Sequence, residues 1–351
     1  MNTATQVDVL DTARLAAYLQ ANISGFKGPL KLQKFAGGQS NPTFLLESPS
    51  GKYVLRRKPP GQVLQSAHAV DREFRVIAAL AATDVPVAQA IHLCSDDEVI
   101  GSMFYLMSFV PGRTFWDAAL PELRTEQRPA IYDAMNRTLA ALHAVNVDAV
   151  GLGDFGKPGN YFERQISMWT RQYRLSETEN IPAMNFMLDW LPANTPPDDG
   201  RLCLIHGDFR IDNMIFHPRE AEVSALIDWE LSTLGHPMAD LAHYCMSMRL
   251  PGLSDMKGLG GKDRTELNIP SEEDFIARYC ERTGLNRIEH WPFYLAFSYF
   301  RLAAIVQGVM KRALDGNASS KKALDVGKMA RPLAEMAVAV LESNSNASLS
   351  S

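Results

Sequence analysis

Apolar positions in the first hundred or so residues recur in short runs broken by turn residues, and that pattern predicts strands. The candidates are Leu30–Phe35, Thr43–Ser48, Lys52–Arg57, Ala88–Cys94 and Met103–Phe109. Ser48-Pro49-Ser50-Gly51 fits a hairpin turn, because serine and proline initiate turns and glycine permits positive φ. From Ala67 to Ala82 the period lengthens to that of a helix. Val70, Phe74, Ile77 and Ala81 share one side of it, with Asp71, Arg72 and Arg75 on the wetter one. A short helix around Asp11–Gln20 precedes the sheet.

Beyond Pro111-Gly112 the pattern turns helical. Helices are predicted over Glu126–Val145, Tyr161–Leu175, Pro182–Leu191, Met238–Met248, Glu272–Thr283, Trp291–Leu314 and Lys322–Glu342. Among them lies a compact stretch of short apolar runs and turns, Leu202–Asp228. The expected class is α+β. An antiparallel-sheet lobe over 1–109 is followed by a mainly helical lobe over 110–343. The serine- and asparagine-rich residues 344–351 are expected to form a frayed tail.

Composition narrows the function classes. Hydrophobic residues make up 46% and charged residues 21% of 351, enough to bury a core without disulfides or a structural metal. Lys and Arg number 35 against 40 Asp and Glu, a net charge of −5. With no basic-aromatic motif, no nucleic-acid partner is expected. Cys94, Cys203, Cys245 and Cys280 are too scattered for a disulfide scaffold or a zinc ribbon. The N-terminus lacks the basic region of a signal peptide. Phe293–Met310 is interrupted by Arg301 and Gln307, so it reads as a buried helix and not a membrane span. A cytoplasmic protein without a membrane partner is expected.

The strongest local signal is His206-Gly-Asp208-Phe-Arg-Ile-Asp-Asn213. It sets Asp208 and Asn213 five residues apart in a tight loop between apolar runs. Phosphoryl transfer to a hydroxyl needs a carboxylate to orient the nucleophile and oxygen ligands for Mg2+, and this spacing offers both. Asp208 would be the base or orienting group and Asn213 a metal ligand. Fifteen residues on, Val223–Asp228 reads as a strand delivering Asp228 as a second metal ligand. Glu230 either assists it or makes a structural pair.

Upstream, Gly37 and Gly38 allow close backbone approach, and Ser40 with nearby N–H groups could cradle phosphate. A plain hairpin would use the same residues, and the run is neither a Walker A sequence nor GxGxxG. Of Arg56 and Arg57, alternation puts only one on the inner face of its strand. Glu73 on the following helix is the natural carboxylate to hold it, although a surface ion pair would look the same in isolation.

Together these motifs resemble the aminoglycoside phosphotransferase and choline kinase superfamily, which shares the two-lobed protein-kinase-like fold. More narrowly, Tyr53-Val-Leu-Arg56-Arg-Lys-Pro-Pro-Gly61 resembles the phosphotransferase-type domain fused to some acyl-CoA dehydrogenases. The resemblance spans nearly the whole chain and implies ATP and Mg2+ as cofactors. It puts Arg56 where the family has an ATP-contacting lysine, with Arg57 the runner-up and Glu73 its helix partner. Arginine keeps the charge but changes the reach. Met107, Ser108, Phe109 and Val110 would form the hinge beside adenine, with Ile215 beneath the base. Asp240 would anchor the loop that carries Asp208. No segment resembles an activation loop ending in Ala-Pro-Glu, which disfavours protein phosphorylation.

The implied reaction moves the γ-phosphoryl group of ATP to a hydroxyl of a small molecule. A hydroxyacyl-CoA-like acceptor fits the narrower resemblance, along with a functional link to an acyl-CoA dehydrogenase. An aminoglycoside, choline or another alcohol is the alternative within the same class, and a catalytically silent nucleotide-binding regulatory domain the alternative outside it. His206 and His143 read as structural, and the other histidines have no spacing that demands chemistry. Arg164, Arg171 and Arg174 form a solvated helix face or a patch for an anionic acceptor. The run Trp291–Phe300 is chiefly core, with Arg301 and Gln307 as candidates for the polar edge of an acceptor pocket.

Overall fold

In the computed structural model, residues 10–35, 41–59, 69–157, 159–252, 258–316 and 322–349 are described. The elements in chain order begin with α1 (Thr12–Asn22), β1 (Lys31–Lys34), β2 (Thr43–Ser48), β3 (Gly51–Arg57), α2 (Val70–Leu80), β4 (Ala90–Cys94) and β5 (Phe104–Ser108). Then come α3 (Arg128–His143), α4 (Tyr161–Ser176), α5 (Pro182–Ala193), β6 (Cys203–Ile205), β7 (Met214–Phe216), β8 (Val223–Leu226) and β9 (Thr233–Gly235). Five helices close the order: α6 (Met238–Arg249), α7 (Glu272–Thr283), α8 (Trp291–Leu314), α9 (Ala323–Gly327) and α10 (Ala330–Leu349). The fold is α+β, an N-terminal antiparallel sheet followed by a largely helical region, as the pattern of the sequence implies. The chain forms two compact units, one of residues 1–113 with 215–230, the other of 114–214 with 231–351.

The first unit is built on a five-stranded antiparallel sheet, order β1-β2-β3-β5-β4. The β2–β3 hairpin pairs Ser48 with Gly51. Alternation sends Leu55 to the face where Phe44, Leu46, Phe104 and Leu106 pack with Leu15 and Leu19 of α1. Arg56 turns to the opposite face. The segment 215–230 adds the β7–β8 hairpin, stitched to the end of the N-terminal stretch by a bridge between Arg113 and Phe216. Gly112 makes that approach possible: a Cβ there would lie 2.3 Å from the carbonyl oxygen of Phe216.

The second unit packs helices around α8, which touches α4, α5, α6, α9 and α10. Among the described residues α8 is the one helix long and apolar enough to cross a membrane, and most of its apolar stretch is buried in this bundle. Ser271 caps the start of α7 and Gly284, in the left-handed region, its end. The predicted helix over Lys322–Glu342 is two helices instead. The break follows Gly327, whose backbone presses on Met310 so closely that a Cβ would meet that side chain at 2.6 Å. The predicted start of α3 is a 3₁₀ turn, Thr125–Gln127, because Pro129 lacks the N–H that a helix interior needs. The two-stranded ladder of β6 and β9 releases the chain at Ile205, into the loop that carries Asp208.

Candidate active site

In the first unit the buried Arg56 is met by three carboxylates. Its Nη2 donates to Asp228 Oδ1 at 2.6 Å and to Glu230 Oε2 at 3.5 Å. Its Nε lies 2.9 Å from Glu73 Oε2, an ion-pair distance without hydrogen-bond alignment. Glu73, on the buried side of α2, also accepts from Asn41 Nδ2 at 2.8 Å and from the Tyr105 hydroxyl at 3.1 Å. Burial pushes the Glu73 carboxyl up to about 7, helped by Asp228 and Glu230 and opposed by Arg56 and Tyr105. The Arg56 guanidinium, although burial works against its charge, is held above its usual range chiefly by Glu73, with Asp228 and Glu230 adding to it.

Asp228 stands two residues past the end of β8 with φ of 68°, in the left-handed region that aspartate tolerates better than most residues. Trp229, donating Nε1–H to the carbonyl of Leu226 at 3.0 Å, pins this turn. Among the described residues the other Asp228 carboxylate oxygen has no hydrogen-bond partner, on a side chain one-third exposed. Three carboxylates around one guanidinium leave an excess of negative charge, and hard oxygen donors in that setting fit Mg2+.

In the second unit the loop after β6 is gripped by two helices. Asp240 of α6 is fully buried. Its Oδ2 accepts the backbone N–H of His206 at 2.6 Å, and its Oδ1 that of Gly207 at 2.8 Å. His143, at the end of α3, approaches Oδ2 at 3.3 Å through Nε2. Burial raises the Asp240 carboxyl, but His143 and His206 outweigh it and hold it below the usual range. Arg301 of α8 donates Nη2–H to the carbonyl of Gly207 at 3.1 Å. The peptide groups on both sides of Gly207 are thus fixed. Its φ of 84°, with Leu231 O only 2.6 Å from a would-be Cβ, admits glycine alone.

Asp208 projects from this scaffold. Its N–H donates to His206 Nδ1 at 3.2 Å. Asn213 Nδ2 donates both to the carboxylate Oδ2, at 2.9 Å, and to the Asp208 carbonyl, at 2.8 Å. His243 Nε2 lies 3.1 Å from Oδ1. Burial acts to raise the Asp208 carboxyl, yet His243, Arg210 and His206 hold it well below the usual carboxylate range. It is therefore ionised at neutral pH, and 32% of its side chain remains open to solvent. Such a group can orient a hydroxyl and take its proton. Because the Asn213 amide nitrogen points at Asp208, its oxygen is turned away and can serve as a metal ligand.

The structure thus gathers Arg56, Glu73 and Asp228 in one cluster, which Glu230 joins, and Asp208 with Asn213 in another. Arg57 is turned away, donating to the carbonyls of Ile100 and Lys58. Met107 and Ser108 end β5, Phe109 and Val110 follow it, and Ile215 lies in β7, all partly exposed. Gly37, Gly38 and Ser40 lie outside the described residues. Among the described residues no three His, Cys, Asp or Glu side chains gather as a stand-alone metal centre. Mg2+ carried by a nucleotide needs less, one or two protein oxygens beside the phosphates.

His143 has the structural role expected of it, bracing Asp240 from the end of α3. One expectation is corrected. Arg301 and Gln307 form no pocket edge: both are buried, the first on Gly207 and the second donating to Ser176 and Thr178. On α4, Arg174 is engaged by Glu177 and Asn185, and Arg164 by the carbonyl of Gly159. His243, Asn41 and Tyr105 are absent from the sequence-based site. One signal for His243 was available, its place one helical turn after Asp240, where both share a face.

Comparison with known proteins agrees with this arrangement. Residues 31–283 match the phosphotransferase enzyme family. The chain is 48% identical over 311 residues to acyl-CoA dehydrogenase family member 10 of Mus musculus, covering 88% of this chain and 29% of that protein. With acyl-CoA dehydrogenase family member 11 of Homo sapiens the identity is 44% over 330 residues, covering 93% and 42%. The chain therefore spans less than half the length of these relatives. A solved structure from Ralstonia eutropha JMP134, assigned to the aminoglycoside phosphotransferases, has 51% identity and a TM-score of 0.87, covering 95% of this chain and 99% of that one. Choline kinase from Cryptosporidium parvum shares the fold at 13% identity, with a TM-score of 0.63 and coverage of 96% and 97%. The chain belongs to the phosphotransferase enzyme family, in the aminoglycoside phosphotransferase and choline kinase superfamily, and is homologous to the region of that type in acyl-CoA dehydrogenase family members 10 and 11.

Proposed function

We propose that this protein transfers the γ-phosphoryl group of ATP to a hydroxyl of a small molecule, and that the acceptor is a hydroxyacyl-CoA. The observation that carries the proposal is the Asp208 carboxylate: ionised, held by one donor on each oxygen, and still open to solvent. Asp208 orients the acceptor hydroxyl and takes its proton as the bond to phosphorus forms. Arg56 contacts the nucleotide phosphates through its fork, steadied by Glu73. The side-chain oxygens of Asn213 in the second unit and of Asp228 in the first are each suited to Mg2+, which when bound would neutralise the phosphate charge. The family supports ATP and Mg2+ as cofactors. The acyl-CoA part rests on the names of the curated relatives, whose other regions this chain does not span.

The test is to incubate the purified chain with Mg2+, ATP labelled with 32P at the terminal phosphate, and a metabolite extract enriched in hydroxyacyl-CoAs. Chromatography and mass spectrometry would follow the label. A phosphorylated acyl-CoA made by the wild type and not by Asp208→Asn is the expected result. Label moving only into an aminoglycoside or another alcohol would replace the acceptor. Saturable ATP binding with no transfer would favour a silent nucleotide-binding domain.

A further inference from the structure

Two side chains of α6 face the loop that carries Asp208. Asp240 holds its backbone, and one turn later His243 reaches the Asp208 carboxylate itself, Nε2 to Oδ1 at 3.1 Å. The ring of His243 is mostly buried, its side chain 11% exposed. An ionised carboxylate only accepts, so the hydrogen of this bond sits on His243 Nε2. The other Asp208 oxygen takes its hydrogen bond from Asn213 Nδ2. With a donor on one oxygen alone, a carboxylate swings about its Cβ–Cγ bond. With one on each, its plane is fixed, and each oxygen keeps a second lone pair for a substrate proton.

We infer that His243 is a positioning residue for phosphoryl transfer: it fixes the plane of the Asp208 carboxylate so that the free lone pair of that group meets the acceptor hydroxyl. This rests on the reading of Asp208 as the residue that orients the hydroxyl. Asn213 alone is a poor anchor, because its amide oxygen is committed to the metal in the same reading and moves with it. His243 carries no such second duty, and its attachment to α6 beside Asp240 ties the carboxylate and the loop backbone to one rigid element.

The test compares the full-length wild type with His243→Leu, His243→Gln and Asp208→Asn. Glutamine keeps an N–H donor near the position of Nε2, whereas leucine fills the space without one. Mg-ATP with water as acceptor is the first probe, read as phosphate release, and 3-hydroxybutyryl-CoA the second. His243→Leu should lower kcat about 10- to 100-fold, the scale of a small misplacement of a reacting group, while KM for Mg-ATP stays within about twofold. His243→Gln should recover most of that loss. Equal impairment of the two variants, or a kcat within about twofold of wild type in His243→Leu, would overturn the inference.

A second readout is independent of turnover. In 15N-histidine-labelled protein the His243 ring resonances should shift in Asp208→Asn; unchanged resonances would remove the hydrogen bond and the inference with it. Failure of the functional reading looks different. The wild type would then neither release phosphate from Mg-ATP nor phosphorylate 3-hydroxybutyryl-CoA, and the inference would fall with that reading whatever the histidine resonances showed.

Discussion

Replacing Asp240 by asparagine exchanges one carboxylate oxygen for an amide nitrogen and should damage the loop disproportionately. The native carboxylate accepts from the N–H groups of His206 and Gly207 at 2.6 and 2.8 Å and meets His143 Nε2 at 3.3 Å. The asparagine oxygen can serve His206 and His143, but the new NH2 group then faces the N–H of Gly207. The Gly207 N–H and the new amide that faces it are both left without an acceptor, and the remaining bonds lose their charge assistance. Hydrogen bonds to charged groups contribute roughly 1.5–3 kcal/mol each, so the substitution should destabilise the fold by about 2–4 kcal/mol at pH 7.

The sign of the pH dependence follows from the depressed carboxyl of Asp240. Its stabilisation is fully present above the ordinary aspartate value of 3.8 and is lost as the pH falls through the lower folded-state value. Asparagine does not titrate, so the gap between wild type and variant should narrow only below that point. Urea denaturation followed by tryptophan fluorescence measures both effects. At a slope near ~3 kcal/mol/M the midpoint should drop by about 1 M at pH 7. A midpoint within about 0.2 M of wild type would refute the reasoning, since it would mean that the buried donors find other partners.

Glu73→Gln should show the opposite pH trend. The Glu73 carboxyl is raised to about 7 in the folded chain, so the stability it contributes is present below the ordinary value of 4.5 and lost as the pH rises through 7. Unfolding midpoints at pH 5 and pH 8 should therefore move in favour of the variant at the higher pH, and a pH-independent gap would contradict it. Gly207→Ala puts a methyl group 2.6 Å from Leu231 O at a φ of 84°. It should destabilise by about 2 kcal/mol or more, seen as a lower unfolding midpoint, and reduce transfer to the same hydroxyl acceptors.

The sequence made the architecture legible wherever local chemistry alone decides it. The ends of α7 and α8 coincide with their predictions, Glu272–Thr283 and Trp291–Leu314, because a serine cap, a left-handed glycine and an N-terminal proline mark them. The β2–β3 hairpin was equally plain from its turn residues. Of the short strands β6 to β9, three or four residues each, β8 was read as a strand, β6 and β7 lay inside a stretch read as apolar runs and turns, and β9 lay beyond it. So few residues carry no period, and their pairing is tertiary.

The candidate site divides along the same line. Asp208, Asn213 and Asp228 stand at spacings that imply chemistry; strand alternation put only one arginine of the pair on the inner face, and the family resemblance picked Arg56. Glu73 and Asp240 were named beforehand as supports, but the other side chains around the site were not. His243 reaches Asp208 across 35 residues and Asn41 reaches Glu73 across 32, and neither separation has a sequence signature. Arg301 looked like the rim of an acceptor pocket because it interrupts an apolar helix. Burial against the Gly207 carbonyl serves the same charge without any pocket.

The central claim is that Asp208 acts on the acceptor hydroxyl and not on nucleotide binding. The most direct measurement sets the transfer rate of Asp208→Asn beside its dissociation constant for Mg-ATP, determined by calorimetry on the same preparation. The account predicts a fall in transfer of about 100- to 10,000-fold, the scale of general-base catalysis, with Mg-ATP binding within about threefold of wild type. Comparable losses of binding and transfer would contradict it, and would make Asp208 a residue of the nucleotide site.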